Sequence, residues 1–137
     1  MKYILSFIFI VIIISITYKY IIAADEPIAY KKLLEKQNNY FVVQKDSAAI
    51  MWTRAKMYLN KNAALICGGP LQQSDTLLYI PYYNDHKKGN AIRIEQHVNG
   101  DSVSFNIQWW YSQKLQINGS RAIALYMRYK VEKSNFE

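Results

Sequence analysis

Two pairs of titratable residues stand at spacings that could support chemistry: Glu95 with His97, and Asp85 with His86. In an extended strand, residues two apart leave the same face, so a carboxylate at 95 and an imidazole at 97 would stand about 7 Å apart. That separation would let them act as acid and base on one small substrate, or reach a common metal ion. A metal site needs a third ligand, and the spacing forces none beside them. Arg93, two residues before Glu95, makes an alternating charge pattern on an exposed strand face the preferred reading. Asp85-His86 falls within Asn84 to Asn90, a polar stretch whose composition is that of a solvated loop. The sequence contains no Gly-x-Ser-x-Gly, His-Glu-x-x-His or Cys-His pairing of the kind that marks a nucleophile or a zinc hydrolase. No catalytic residue and no metal ligand is therefore assigned, and no cofactor is expected.

Cys67 is the sole cysteine, which excludes an internal disulfide and a cysteine-based metal cluster. Its neighbours Leu65 and Ile66 favour a small buried hydrophobe over a nucleophile. Gly68-Gly69-Pro70 reads as a turn and lacks the Lys-Ser/Thr pair of a phosphate-cradling loop. Asn118-Gly119-Ser120 matches a glycosylation acceptor, a short pattern that is common by chance. The aromatics Tyr79, Tyr82, Tyr83, Trp109, Trp110 and Tyr111 gather on segments expected to be neighbours. Trp109 and Trp110 must face opposite ways in a strand, so one of them leaves the covered face. Trp110, beside Gln108 and Asn106, is the candidate for an aromatic that meets a ligand or partner, unless the linker or the chain's tail covers it.

These residues are positioned by a hairpin. Ala91 to Val98 and Ser102 to Tyr111 alternate as strands, and Asn99-Gly100 suits the two central positions of a type I′ turn. That turn pairs Ile94 with Phe105 and Ile92 with Ile107 on an apolar face, and Arg93 with Asn106, Glu95 with Ser104 and His97 with Ser102 on a polar one. A longer loop would keep the same faces. The candidate binding surface is accordingly Arg93, Glu95, His97, Asn106, Gln108 and Trp110.

The rest of the chain supplies one domain. The 51% hydrophobic content is raised by the first two dozen residues rather than by a large core. Net charge is +7, and +5 once residues 1–24, with Lys2 and Lys19 and no acid, are set aside. The remaining cations are scattered, so nucleic acid is not an expected partner. Lys2 followed by the apolar run from Tyr3 to Ile16, with Ala23-Ala24 before Asp25, inserts into a membrane. It does so as a secretory signal cleaved near Ala24, or as an uncleaved anchor spanning Tyr3 to Ala24. Either places the remainder outside a membrane, periplasmic or extracellular, where a protein or small ligand is its expected partner.

Residues 25–39 form a linker with about two helical turns from Tyr30 to Lys36 behind Pro27. Tyr40 to Lys45 is a first strand. A helix follows, capped by Asp46-Ser47, with Ala48, Met51, Trp52, Ala55, Tyr58 and Leu59 on one stripe, and Asn60-Lys61-Asn62 stops it. Ala63 to Cys67 is a second strand, and Thr76 to Tyr83 a third that Pro81 confines to an edge or a bulge. From Ala122 to Val131 the pattern suits a strand or a helix. Helix is preferred, with Ser120 as its N-cap, because a tight turn at Asn118-Gly119 would put the apolar residues on the wrong face.

Strand, helix, four strands, helix predicts an α+β fold: an antiparallel sheet of about five strands covered on one face by one or two helices. The helix Ile50 to Lys56 after a β-rich start, and the hairpin ending in Trp109-Trp110-Tyr111, resemble a family of exported bacterial domains of unknown function with a TATA-binding-protein-like fold. The resemblance covers Tyr40 to Tyr111 and implies no activity and no catalytic residue. A non-catalytic binding module using the open sheet face is the leading expectation. The alternatives are a metal-dependent or acid/base hydrolase using Glu95 and His97, and a structural envelope protein.

Overall fold

The computed structural model describes residues 27–66, 70–82 and 89–135. The chain runs α1 (Ile28–Lys36), β1 (Tyr40–Gln44), α2 (Lys45–Ile66), β2 (Gln72–Gln73), β3 (Leu77–Ile80), β4 (Asn90–Asn99), β5 (Ser102–Tyr111), β6 (Lys114–Leu115), α3 (Ile117–Tyr129) and a short 3₁₀ turn at Lys133–Asn135. The fold is α+β. Its single open sheet is antiparallel throughout, in the order β1-β5-β4-β3-β2, with β6 pairing β5 on the same side as β1.

The strand residues divide by parity, with two exceptions in β4: Ala91, opposite Trp110 on the other face, is buried, and Val98, of core parity, is exposed. Phe41, Leu78, Ile80, Ile92, Ile94, Val103, Phe105 and Ile107 are buried on one face against Ala48, Trp52, Ala55 and Leu59 of α2 and Ile123, Ala124 and Met127 of α3. Phe105 is the hub, with its ring 5.3 Å from Phe41 and 6.2 Å from Trp52. Burying side chains of this size stabilises the fold by about 1.5–3 kcal/mol each. Helix α1 belongs to the same layer: Tyr30 and Leu34 bury against Leu125 of α3, and the Arg128 guanidinium lies 5.3 Å over the Phe41 ring. Arg54 of α2 donates to the carbonyls of Met127 and Arg128 at 3.1 and 2.8 Å, so a cation sits at the negative end of α3.

Several expectations are corrected. The hairpin turns at Gly100-Asp101, with Asn99 opposite Ser102, so Ile94 pairs Ile107, Arg93 pairs Gln108, Glu95 pairs Asn106 and His97 pairs Ser104. Gly100 has φ +58° while Asp101 is not among the residues with positive φ, which is the requirement of a turn with glycine first rather than Asn-Gly in both central places. The shift is by two residues, so every side chain keeps its face.

Helix α2 does not stop at Asn60 to Asn62. Asn62 turns its side-chain amide back onto the Tyr58 carbonyl at 2.8 Å, and the helix continues to Ile66. The expected strand Ala63 to Cys67 is thus helical as far as Ile66, because Ala-Ala-Leu are among the best helix formers and a short apolar run has no periodicity of its own. Cys67 lies outside the described residues.

Strand β3 ends at Ile80, before Pro81, and is paired on both sides, so the proline imposes no edge. The sheet has six strands, β2 and β6 being two-residue additions below the length at which alternation is visible. Helix α3 begins at Ile117, three residues before the expected cap, and Gln116 at its cap position makes no side-chain cap bond. Residues 1–24 lie outside the description, and among the described residues no helix is long and apolar enough to cross a membrane.

Candidate functional site

The parity that fills the core determines the opposite face. Register sets the side chains there in rows across the sheet. Tyr40, Asn106, Glu95 and Leu77 form one row, and Gln108, Arg93, Tyr79 and Gln72 the next. Val42, Ser104 and His97 form a third. Trp110 stands between Ala91 of β4 and Leu115 of β6. All six residues expected to make a surface, Arg93, Glu95, His97, Asn106, Gln108 and Trp110, are on this face. Trp110 is half-buried by its own sheet, and α1 packs on the helical layer instead. Trp109 turns to the core side, where its indole donates to Asn90 Oδ1 at 2.8 Å.

Arg93 and Glu95 form an ion pair at 2.6 Å along β4. This contact occupies the Glu95 carboxylate that an acid/base pair with His97 would need. Among the described residues no group of three His, Cys, Asp or Glu could hold a metal ion. Arg93 and Trp110 are diagonal neighbours, since Arg93 faces Gln108 and Trp110 lies two residues further along β5, a separation of about 7–8 Å. The Arg93 guanidinium is held toward Glu95, in the direction along β4 away from Ala91 and Trp110, so the two residues place a cation and an indole on one face as separate features. Asp85-His86, the other pair considered, lies outside the described residues.

The sequence did not assign Tyr40, Val42, Leu77 or Tyr79 to this surface. The alternation in Tyr40-Phe41-Val42-Val43-Gln44 carried a signal, but with both parities apolar it did not say which side faced the helices. Strand order decides their neighbours, and strand order has no local signature.

Clefts lie on the helical side. One of about 340 Å³ runs between α1 and α3, lined by Leu33, Gln37, Leu125, Arg128, Tyr129 and Val131. Another of about 300 Å³ is lined by Tyr30, Tyr58, Asn62 and the segment 131–134. In it burial pushes the Tyr58 hydroxyl up to about 12, with Tyr30 and Glu132 adding to the rise. Glu132 there pairs with Lys61 at 2.7 Å, and that hydrogen bond raises the lysine above its ordinary value. These groups tie the tail to α2 and offer no nucleophile or base with a lowered barrier to ionisation.

No protein-family model, curated protein or solved structure matches this chain.

Proposed function

We propose that this chain is a non-catalytic binding module that engages a protein or small ligand through the open face of its sheet, outside a membrane into which residues 1–24 direct it. One observation carries the reading. All three helices gather on one side of the sheet, and the described residues of the other side present Arg93 and Trp110 amid Tyr40, Tyr79, Gln108 and Asn106. An antiparallel sheet tolerates a wet second face, but large aromatic and aliphatic side chains there are costly to hydrate and serve best where a partner covers them. The order of elements is consistent with the exported, TATA-binding-protein-like domains that the sequence resembles. The apolar run at 1–24 is the basis for placing the domain beyond the membrane.

The test is recovery of partners from envelope extracts with the wild-type chain, Trp110→Ala, Arg93→Ala and a helix-side control, Lys56→Ala. Partners retained by the control and lost with both sheet variants support the open face. Unchanged recovery with Trp110→Ala and Arg93→Ala removes this assignment.

A further inference from the structure

Strand β1 is an edge of the sheet, and the direction of each of its backbone groups can be worked out. The N–H of Ile107 donates to the Asn39 carbonyl, and the N–H of Lys45 to the Asp101 carbonyl, each at 2.9 Å. With Phe41 opposite Phe105 and Val43 opposite Val103, the odd residues are the ones that exchange bonds with β5. The N–H and C=O groups of Tyr40 and Val42 and the N–H of Gln44 therefore point outward with no partner among the described residues, while the Gln44 carbonyl, one residue before α2, accepts the first intrahelical hydrogen bond of that helix. Tyr40 and Val42 are each 54% exposed. The strand Tyr-Phe-Val-Val-Gln has no charge and no proline, the usual guards of an edge, and its ladder with β5 runs without a bulge.

We infer that β1 pairs with β1 of a second copy of this chain, antiparallel across a two-fold axis at Val42, joining the two sheets edge to edge. Only even residues point outward, so an antiparallel partner must match even to even. The register that uses all three sets Val42 opposite Val42 of the second copy and Tyr40 opposite its Gln44, with roughly four backbone hydrogen bonds, two between the Val42 residues and one from each Gln44 N–H to the facing Tyr40 carbonyl. The same three residues supply the donors and acceptors on both sides, which is what a closed two-fold interface requires. No like charges meet. Carried past the strand, this register sets Lys45 and Asp46 level with the neutral Asn39 and Asn38 of the second copy. The joined sheets would present their open faces side by side, with Tyr40 and Val42 at the seam. This pairing is independent of what those faces bind.

The test uses the full chain in detergent with Cys67→Ser as background. In the proposed register the Cα atoms at position 42 are about 5.5 Å apart, within disulfide reach, whereas the two copies of position 44 are about 14 Å apart. Val42→Cys is expected to form a covalent dimer on mild oxidation, and Gln44→Cys alone is not. Mixing Tyr40→Cys with Gln44→Cys chains should give the crosslinked heterodimer. Val42→Pro removes an outward N–H that β5 does not use, so circular dichroism should be unchanged while sedimentation shows the dimer lost, and Val42→Lys should repeat the loss. The register-dependent crosslinks separate this interface from association through residues 1–24. Equal crosslinking at 42 and 44, no crosslinking at 42, or a dimer indifferent to Val42→Pro and Val42→Lys would each overturn the inference.

Discussion

Ser120 Oγ accepts the backbone N–H of Trp109 at 2.9 Å and donates to the Gln116 carbonyl at 3.0 Å, while the Gln116 N–H donates to the Trp109 carbonyl at 2.7 Å. The first turn of α3 thereby does the work of a strand. Along this side of β5, residues 101, 103 and 105 face Lys45 and β1, Ile107 is met by the backbone and side chain of Asn39, Trp109 by Gln116 and Ser120, and Tyr111 by Lys114. The central strand is satisfied along this length although β1 covers only part of it.

Replacing Ser120, which is fully buried, with alanine leaves the Trp109 N–H without its acceptor in a dry site. Ser120→Ala is expected to cost about 1–3 kcal/mol in urea-unfolding free energy. A loss below 0.5 kcal/mol, by the scale of ordinary surface changes, would mean that water replaces the hydroxyl.

Gly119 is required for a different reason. A Cβ built there meets Trp109 Cε3 at 2.5 Å and Cδ2 at 2.8 Å, so the helix approaches the indole as closely as a hydrogen allows. Gly119→Ala must move α3 or the ring, and we expect a destabilisation of about 1–3 kcal/mol. Trp109 fluorescence, which reports the indole's surroundings, should shift in the same variant and not in Ser120→Ala.

The turn between β5 and β6 holds Ser112 at φ +47° and Gln113 at φ +69°, both in the left-handed region that side chains disfavour. Gln113→Gly relieves one of these strains and is expected to stabilise the fold by about 0.5–1 kcal/mol, with thermal unfolding as the measurement. An unchanged or lower midpoint would show that the Gln113 side chain contributes more than its backbone strain costs.

Tyr58, in the cleft beneath the tail with its ring 5.3 Å from that of Tyr126, has a hydroxyl raised from 10 to about 12. The folded state thus favours the neutral phenol. The associated stability is fully present below pH 10 and is lost as pH rises through 12. Relative to Tyr58→Phe, wild-type unfolding free energy should fall over that window by up to about 2 kcal/mol. Parallel pH profiles for the two proteins would contradict the raised value.

Local pattern was sufficient for much of this protein. Parity in β4 and β5 separated the residues of the core from Arg93, Glu95, His97, Asn106, Gln108 and Trp110, because a two-residue side-chain period survives an error of two in register. The stripe from Ala48 to Leu59 located the body of α2, although the helix starts at Lys45 rather than behind an Asp46-Ser47 cap and runs on to Ile66, and the helical preference of residues 122–131 prevailed as far as Tyr129. Where the sequence misled, distant contacts had overruled weak local signals. Asn118-Gly119, a turn by composition, is helix because Gly119 lets α3 close on Trp109. Asn99-Gly100 yields the turn's centre to Gly100-Asp101, and the turn with two positive φ values falls at Ser112-Gln113, which no composition rule would choose. The sequence alone determined which residues share a face of each strand, since that follows from the geometry of one chain segment. Only the tertiary structure decided which faces and edges lie together, beginning with β1 beside β5, because pairing between segments some sixty residues apart is set by the packing of the whole sheet under its helices.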